Sequence, residues 1–213
     1  MTQQFYKDNL TKIHKDNFKL IVLFFTLAMM YNFTNVETVN PIDLSFWLDD
    51  QIKLMPWTVL IYHSWYPTLY LIMYFLKDDK YDREYIMALF IVKYLCILTF
   101  ILLPSVVSIR EEIVPKTFYE KLIMLTYKMD NPYNGFPSSH VACATVAYHY
   151  TNNKGLVGKF FQVQMVLIIL ATMTTKQHIV ADCIGGILYA YVVLNFIIPK
   201  LREYDLTLFD PTI

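Results

Sequence analysis

The sequence is poor in charged residues, and the few that it has balance one another. Charged side chains make up 17% of the 213 residues, whereas soluble domains carry about 25%. The 18 basic and 18 acidic residues sum to a net charge of zero, so the net charge gives no indication of nucleic-acid binding. An ordinary soluble domain and a nucleic-acid-binding protein are therefore both disfavoured.

Cysteine is also scarce, and its pattern argues against two kinds of site. Cys96, Cys143 and Cys183 are the three cysteines, and all lie inside apolar segments. Their odd number and wide spacing disfavour a disulfide framework or a zinc site. Metal phosphatases need clustered carboxylates and histidines, which the sequence does not show. We therefore expect buried free thiols, no metal and no cofactor.

What the sequence has in excess is apolar residues, at 56%, and aromatic residues, at 16%. The apolar residues fall into blocks, and aromatic rings at block ends are typical of the headgroup level of a membrane. A spanning helix needs about 20 mostly apolar residues. Six blocks approach this length, at 20–36, 57–76, 86–109, 138–150, 160–175 and 179–199. They predict an all-α fold, a six-helix transmembrane bundle.

The segments between and around these blocks complete the predicted organisation. The segment 40–56 mixes apolar and acidic side chains between two prolines, which favours an interfacial helix between the first and second spans. No small-residue cleavage site follows the first block, so we expect an uncleaved first helix. We predict a single transmembrane catalytic domain, 20–199, flanked by tails at 1–19 and 200–213.

The distribution of lysine and arginine predicts the orientation in the membrane. With six spans, eleven of these residues fall on the side that holds both tails, six on the other side, and Lys93 within a span. Basic residues are enriched on the cytoplasmic side. We therefore expect cytoplasmic termini, with the loop before Ser138 and the turn before His178 on the extracytoplasmic side.

The start of the sixth predicted span carries a histidine and an aspartate four residues apart, His178 and Asp182. On a helix this spacing places both side chains on one face. Asp182 can then accept the Nδ1 hydrogen of His178, which leaves Nε2 as a nucleophile and stabilises the imidazolium. Gly185 and Gly186 follow, where a neighbouring helix can approach closely.

The start of the fourth predicted span carries a second histidine. Pro137 and Ser138 are typical of a helix start, with Ser138 as the N-cap. The free backbone N–H groups at such a start bind anions. His140 lies in the first turn, where it can protonate a leaving-group oxygen.

These two segments resemble the motifs of the type 2 phosphatidic acid phosphatase superfamily of membrane lipid-phosphate phosphatases and phosphotransferases. Pro137-Ser138-Ser139-His140 matches the family's Pro-Ser-x-His motif, and His178-x-x-x-Asp182 matches the end of its Ser-Arg-x5-His-x3-Asp motif. The resemblance implies that His178 is a nucleophile forming a phosphohistidine, Asp182 its orienting partner and His140 the general acid. It also implies a lipid phosphate substrate.

The sequence departs from the family pattern where arginines are expected. Ala171 and Thr172 replace the Ser-Arg pair, and Phe100 and Ile101 replace the Arg-Pro that should follow Lys93 in the first motif. This depleted pattern resembles the divergent branch that includes inositol phosphorylceramide and sphingomyelin synthases. Fewer cations favour a phosphodiester or diphosphate lipid, because a phosphomonoester carries about two negative charges.

Other cations are candidates to replace the missing arginines. Arg110 offers a guanidinium with the geometry for binding phosphate, and Lys176 lies close to His178 in sequence. We therefore predict substrate binding by Arg110 and Lys176, together with the segment Pro137, Ser138 and Ser139. For Lys93, which can act as an ion-pair partner or a phosphate ligand, its depth in a span favours structural pairing.

Three functions remain open on this evidence. The first is a phosphatase that hydrolyses a lipid phosphate or diphosphate through phospho-His178. The second is a phosphotransferase that moves a phosphoryl head group from a phosphodiester lipid to a lipid alcohol. The third is a non-enzymatic transporter or scaffold. We expect His63 and His149 to be structural; the sequence does not identify the lipid or the oligomeric state.

Overall fold

The computed structural model describes residues 18, 21–76 and 81–204, and helices dominate this part of the chain. The helices are α1 (Ile21–Thr34), α2 (Trp47–Gln51), α3 (Val59–His63), α4 (Trp65–Phe75), α5 (Asp82–Leu102), α6 (Phe118–Met129), α7 (Ser139–Tyr150), α8 (Gly155–Thr174), α9 (Val180–Val192) and α10 (Ile198–Tyr204). A 3₁₀ turn, Pro56–Thr58, leads into α3, and a π-helical turn, Val193–Ile197, joins α9 to α10.

Three of the described helical segments are long and apolar enough to cross a membrane. They are Asp82–Leu102, Gly155–Thr174 and the nearly continuous Val180–Glu203. They correspond to the third, fifth and sixth predicted spans, and the chain is a membrane protein. The helix predicted at 86–109 ends earlier, at Leu102, because Pro104 follows and disfavours a helical conformation in the residue before it.

The second predicted span, 57–76, is not one continuous helix. It is divided into the 3₁₀ turn, α3 and α4, with the break at Ser64, whose hydroxyl donates to the carbonyl of Ile61 at 2.6 Å. Pro67 accounts for the break, because it has no N–H to donate to the carbonyl of residue 63. Proline is tolerated only in the first turn of a helix, and it occupies the third position of α4.

A short pair of parallel strands is a departure from the all-α prediction. β1 (Ile42–Asp43) pairs with β2 (Ser105–Val106), in the register Ile42 to Ser105. This pairing joins the chain after α1 to the chain after α5. The backbone carbonyl of Ser105 also accepts a hydrogen bond from the amide of Asn134, at 3.0 Å. The loop that leads into α7 is thereby tied to the ends of two helices.

The twelve-residue helix α7 lies at the centre of the bundle, between α5, α8 and α9. Its small apolar residues, among them Ala142, Ala144 and Ala147, are fully buried, and a helix that is apolar all round is typically buried. A Cβ on Gly186 would lie 2.6 Å from the carbonyl oxygen of Ser138, and one on Gly185 would lie 2.5 Å from the ring of Phe136. The predicted close approach of a neighbouring helix is confirmed at Gly186, whereas Gly185 is approached by Phe136 from the loop before α7.

Helix α6 is anchored to α3 and to the residue that follows α8. His63 Nε2 lies 2.8 Å from the hydroxyl of Thr126, so this histidine makes the packed polar contact that we expected. The hydroxyl of Tyr127 donates to the carbonyl of Thr175 at 2.8 Å. Burial raises the pKa of Tyr127 to about 12, so its hydroxyl stays protonated at neutral pH.

Candidate active site

His178 and Asp182 meet at the start of α9, but not by sharing a face of that helix. His178 precedes the helix, which begins at Val180, and its Nδ1 lies 3.2 Å from Oδ2 of Asp182. The same carboxylate oxygen accepts the amide of Ile179 at 3.1 Å. Asp182 therefore reaches back over the helix start, because the unpaired amides there attract a carboxylate in the first turn.

The second histidine completes a chain of three side chains. His140, in the first turn of α7, places Nδ1 at 3.4 Å from Nε2 of His178. A carboxylate only accepts hydrogen bonds, so the Nδ1 of His178 carries the hydrogen that faces Asp182. In neutral His178 the Nε2 atom is then an acceptor, free to receive a hydrogen from His140 or to attack an electrophile.

Two aromatic rings hold His140 against the neighbouring helices. The ring centroids of Tyr62 and Trp65 lie 4.9 and 4.3 Å from that of His140. Both aromatic side chains are buried. The imidazole of His140 is therefore packed against side chains of α3 and α4, which restricts its movement.

The start of α7 offers unpaired amides beside this histidine pair. Pro137 precedes the N-cap Ser138, whose hydroxyl accepts the amide of Val141 at 3.3 Å. The amide of Ser138 donates to the carbonyl of Asp182 at 3.0 Å. The amides of Ser139 and His140 have no acceptor among the described residues, so this helix start can receive an anion.

Lys93 is placed at this motif and not in a pair with a carboxylate. Its ammonium donates to the hydroxyl of Ser139 at 3.1 Å and lies 5.2 and 5.7 Å from the ring centroids of Tyr31 and Trp65. Among the described residues no carboxylate forms an ion pair with it. The structural pairing that we favoured is therefore not observed. Lys93 is a buried cation that binds Ser139, the residue before His140.

Arg110 lies close to the site, but protein groups already occupy much of its guanidinium. Nη1 donates to the carbonyl of Asp130 at 2.5 Å, and Nη2 donates to the carbonyl of Asn131 at 3.3 Å and to Oε1 of Gln177 at 2.7 Å. The guanidinium also covers the ring of Tyr127, at 4.9 Å. Arg110 therefore joins the loop before α7 to the residue before His178.

Lys176 lies in the turn immediately before the histidine, in a left-handed conformation with φ of 56°. Its buried ammonium donates to the carbonyl of Asp49 at 3.1 Å. The carbonyl of Thr172 accepts the amides of both Gln177 and His178, at 3.0 and 3.1 Å. The turn that presents His178 is thus held by backbone bonds and by a lysine that faces α2.

The two positions where the family has arginine hold buried, uncharged side chains. Thr172 is fully buried, donates to the carbonyl of Ile169 at 2.7 Å and lies 3.6 Å from the sulfur of Cys183. Phe100 is buried with its ring 5.9 Å from that of Tyr31. Both side chains serve packing, so the departures in the sequence are real losses of charge from this site.

Sequence reasoning missed two residues that contact the turn that presents His178. Asp49 is 1% exposed, and its Oδ1 accepts the amide of Val180 at 2.7 Å. Gln177 links Arg110 to that turn, as described above. No sequence signal separates Asp49 from its neighbour Asp50, because the contact joins residues 131 positions apart.

The comparisons with known proteins can be set against this geometry. A sequence profile of the PAP2 superfamily, the abbreviated name of the type 2 phosphatidic acid phosphatase superfamily, matches residues 32–196. The matched region includes both histidine motifs and most of the described helices. No curated protein and no solved structure matched the chain. Within the described residues, no three His, Cys, Asp or Glu side chains form a group suited to a metal ion.

Proposed function

Because the chain belongs to the PAP2 superfamily, whose members are typically phosphatases or phosphotransferases, we propose that it is a membrane enzyme that hydrolyses a lipid phosphate or lipid diphosphate. The observation that carries this proposal is the row Asp182, His178 and His140. One ring nitrogen of His178 faces a carboxylate and the other faces a second histidine. This is the arrangement that nucleophilic attack with proton transfer to a leaving group requires.

The first step of the proposed reaction forms the phosphoenzyme. The Nε2 lone pair of His178 attacks phosphorus, and the bond from phosphorus to the lipid oxygen breaks. That oxygen takes a proton from protonated His140 and leaves as the lipid alcohol or, when the substrate is a diphosphate, as part of the lipid monophosphate. Asp182 stabilises the positive charge that develops on His178, as a carboxylate does for a catalytic imidazole.

The second step regenerates the enzyme. Neutral His140 removes a proton from a water molecule, and the water oxygen attacks phosphorus. The phosphorus–Nε2 bond breaks, its electron pair returns to His178, and inorganic phosphate leaves. His140 thus acts first as an acid and then as a base, which restores the starting protonation states of both histidines.

We propose that the substrate phosphate binds at the start of α7. The unpaired amides of Ser139 and His140 supply hydrogen bonds there. Lys93, whose ammonium donates to the hydroxyl of Ser139, supplies positive charge. Arg110 and Lys176 add positive charge near the turn before His178, while their hydrogen bonds to protein carbonyls hold the surrounding loops. Preorganised donors of this kind stabilise charge that develops in a transition state.

We also propose the six-span topology, with α1, the α3–α4 pair, α5, α7, α8 and the α9–α10 segment as the crossings. The basic residues then place both tails in the cytoplasm and the histidines on the extracytoplasmic side. The exposed side chain of Trp47 in α2, at 71%, fits an interfacial position for that helix.

The test is an assay of the purified protein in detergent with phosphomonoester, diphosphate and phosphodiester lipids. Released phosphate and transferred head group are scored separately. We expect phosphate release, and an acid-labile, base-stable phosphate label on His178. His178→Ala should lose the label and at least ~10³-fold in rate. Full turnover by His178→Ala would rule out the proposed nucleophile.

A phosphotransferase is the second candidate, and the buried Thr172 and Phe100 favour it. With no arginine at these positions, the site holds less positive charge to stabilise a dianionic monoester than the family pattern provides. A phosphodiester carries one negative charge and needs fewer cations. His178 would then displace the lipid alcohol of the phosphodiester and carry the head-group phosphate. A second lipid alcohol would receive that group, which the separate scoring of transferred head group detects.

A further inference from the structure

We propose that Asp49 is a positioning residue that holds His178 in place through the start of α9. The proposal rests on the proposed function, because it concerns the same nucleophile. Asp49 lies in α2, far from the histidine motifs in sequence, and its side chain is directed into the bundle while its neighbour Asp50 is exposed. A buried carboxylate needs hydrogen-bond donors, and Asp49 takes one of them from the catalytic turn.

The contacts of Asp49 lie on both sides of His178. Its Oδ1 accepts the amide of Val180, two residues after the histidine, at 2.7 Å. Its backbone carbonyl accepts the ammonium of Lys176, two residues before the histidine, at 3.1 Å. Its Oδ2 accepts the amide of Phe46 at 3.0 Å, which fixes the carboxylate on its own helix. Asp49 therefore forms hydrogen bonds with both ends of the turn from 176 to 180.

This turn needs an external support. Lys176 has φ of 56°, a conformation that a residue with a side chain adopts only when its surroundings hold it there. His178 itself lies outside the regular hydrogen bonds of α9. The orientation of its Nε2 consequently depends on where the turn is fixed, and a nucleophile displaced by about 1 Å loses about 100-fold in rate.

The same contacts assign different tasks to the two helix starts at the site. At α9, Asp182 and Asp49 accept the amides of Ile179 and Val180. At α7, the amides of Ser139 and His140 have no acceptor among the described residues. Two carboxylates thus occupy the amides at the start of α9, and this helix start holds the nucleophile. The amides at the start of α7 remain available to bind the phosphate.

Two substitutions remove the contact from opposite sides. Asp49→Ala removes the acceptor, and Val180→Pro removes the donor. Proline is favoured at the first position of a helix, and Ile179, with φ of −95° and ψ of 167°, already has the extended conformation that precedes proline. Val180→Pro therefore leaves the helix start intact, and it keeps the proposal testable if Asp49→Ala does not fold.

The experiment compares these variants with the wild type and with Asp50→Asn as the matched control, all as full-length protein in detergent. The rate of His178 phosphorylation by phosphatidic acid should fall about 10- to 100-fold in both variants, with KM within about threefold. Asp49→Asn, which keeps an oxygen for Val180, should recover part of the rate, and Asp50→Asn should match the wild type. A merely structural role would lower the fraction of active enzyme and leave its phosphorylation rate unchanged.

A second measurement does not require turnover. Modification of His178 by diethylpyrocarbonate, followed by peptide mass mapping, should be faster in Asp49→Ala and Val180→Pro than in Asp50→Asn. If no phosphohistidine forms in the wild type with any lipid of the panel, the proposed function fails while this rate still tests the contact. Wild-type phosphorylation and modification rates in Val180→Pro or Asp49→Ala would overturn the role of Asp49.

Discussion

The two ends of the helical bundle each bury a carboxylate at the third residue of a helix, and they use it differently. At the end away from the site, Glu84 in α5 accepts two hydrogen bonds from Arg202, at 3.0 and 2.7 Å, and lies 3.4 Å from the hydroxyl of Tyr150. At the site, Asp182 in α9 faces the imidazole of His178 and the amide of Ile179.

The difference lies in the partner and not in the acid. A guanidinium is charged at all accessible pH values and engages both oxygens of the carboxylate, so the Glu84–Arg202 pair is a fixed link between α5 and α10. An imidazole exchanges a proton near neutral pH and keeps a second nitrogen for other partners. The first arrangement stabilises the bundle, and the second leaves a reactive atom available.

Among substitutions that distinguish the two ends, Asp182→Asn should cause the largest loss of reaction rate. The neutral amide lacks the charge that stabilises the imidazolium of His178, and the wrong tautomer is favoured when its NH2 group faces Nδ1. We expect the rate to fall by about 10²- to 10⁴-fold with a small change in melting temperature. A rate within twofold of the wild type, measured as phosphate release per active enzyme, would remove Asp182 from the orienting role.

Substitutions of Arg110 should have an intermediate effect. Arg110→Lys loses the paired hydrogen bonds to Asp130 and Gln177, and we expect about a tenfold loss in kcat/KM. Arg110→Ala should affect a dianionic monoester more than a monoanionic diester, because it also removes a charge. The measurement is kcat/KM for both substrate types. Equal, near-wild-type values would show that Arg110 neither binds nor positions the substrate.

Arg202→Met should change stability and leave the rate within about twofold, because Arg202 lies at the opposite end from the histidines. Glu84 then remains buried without its charged partner, which should cost about 1–3 kcal/mol in the free energy of unfolding. Glu84→Gln combined with Arg202→Met should recover part of this stability. Thermal unfolding in detergent and the specific activity are the two readouts. A large loss of activity at full stability would contradict the separation of the two ends.

Labelling with an impermeant thiol reagent should distinguish the two ends without altering activity. The native cysteines are buried, so they give little background. A cysteine at the exposed Glu112, in the loop before α6, should react from outside intact cells, and one at the exposed Asn152, between α7 and α8, should not. The reverse result would invert the proposed orientation.

The parts of the site that could be predicted are those set by neighbouring residues. Ser138 predicted the start of α7, and Gly186 predicted its close packing against α9. Membership of the superfamily followed from two motifs of four and five residues. The break at Ser64 was missed although Pro67 gave a local signal for it, because the apolar run from 57 to 76 was interpreted by length alone.

What the sequence by itself determined about this protein is its membrane character, its family and the residue types that can carry the chemistry. These follow from composition and from spacings of a few residues, which local forces convert into helices and caps. Only the tertiary structure decided that Asp49 meets the amide of Val180, that Lys93 reaches Ser139 and that His140 faces His178. The physical reason is that each contact joins residues between 38 and 131 positions apart, so their proximity depends on how whole helices pack and not on any local preference of the chain.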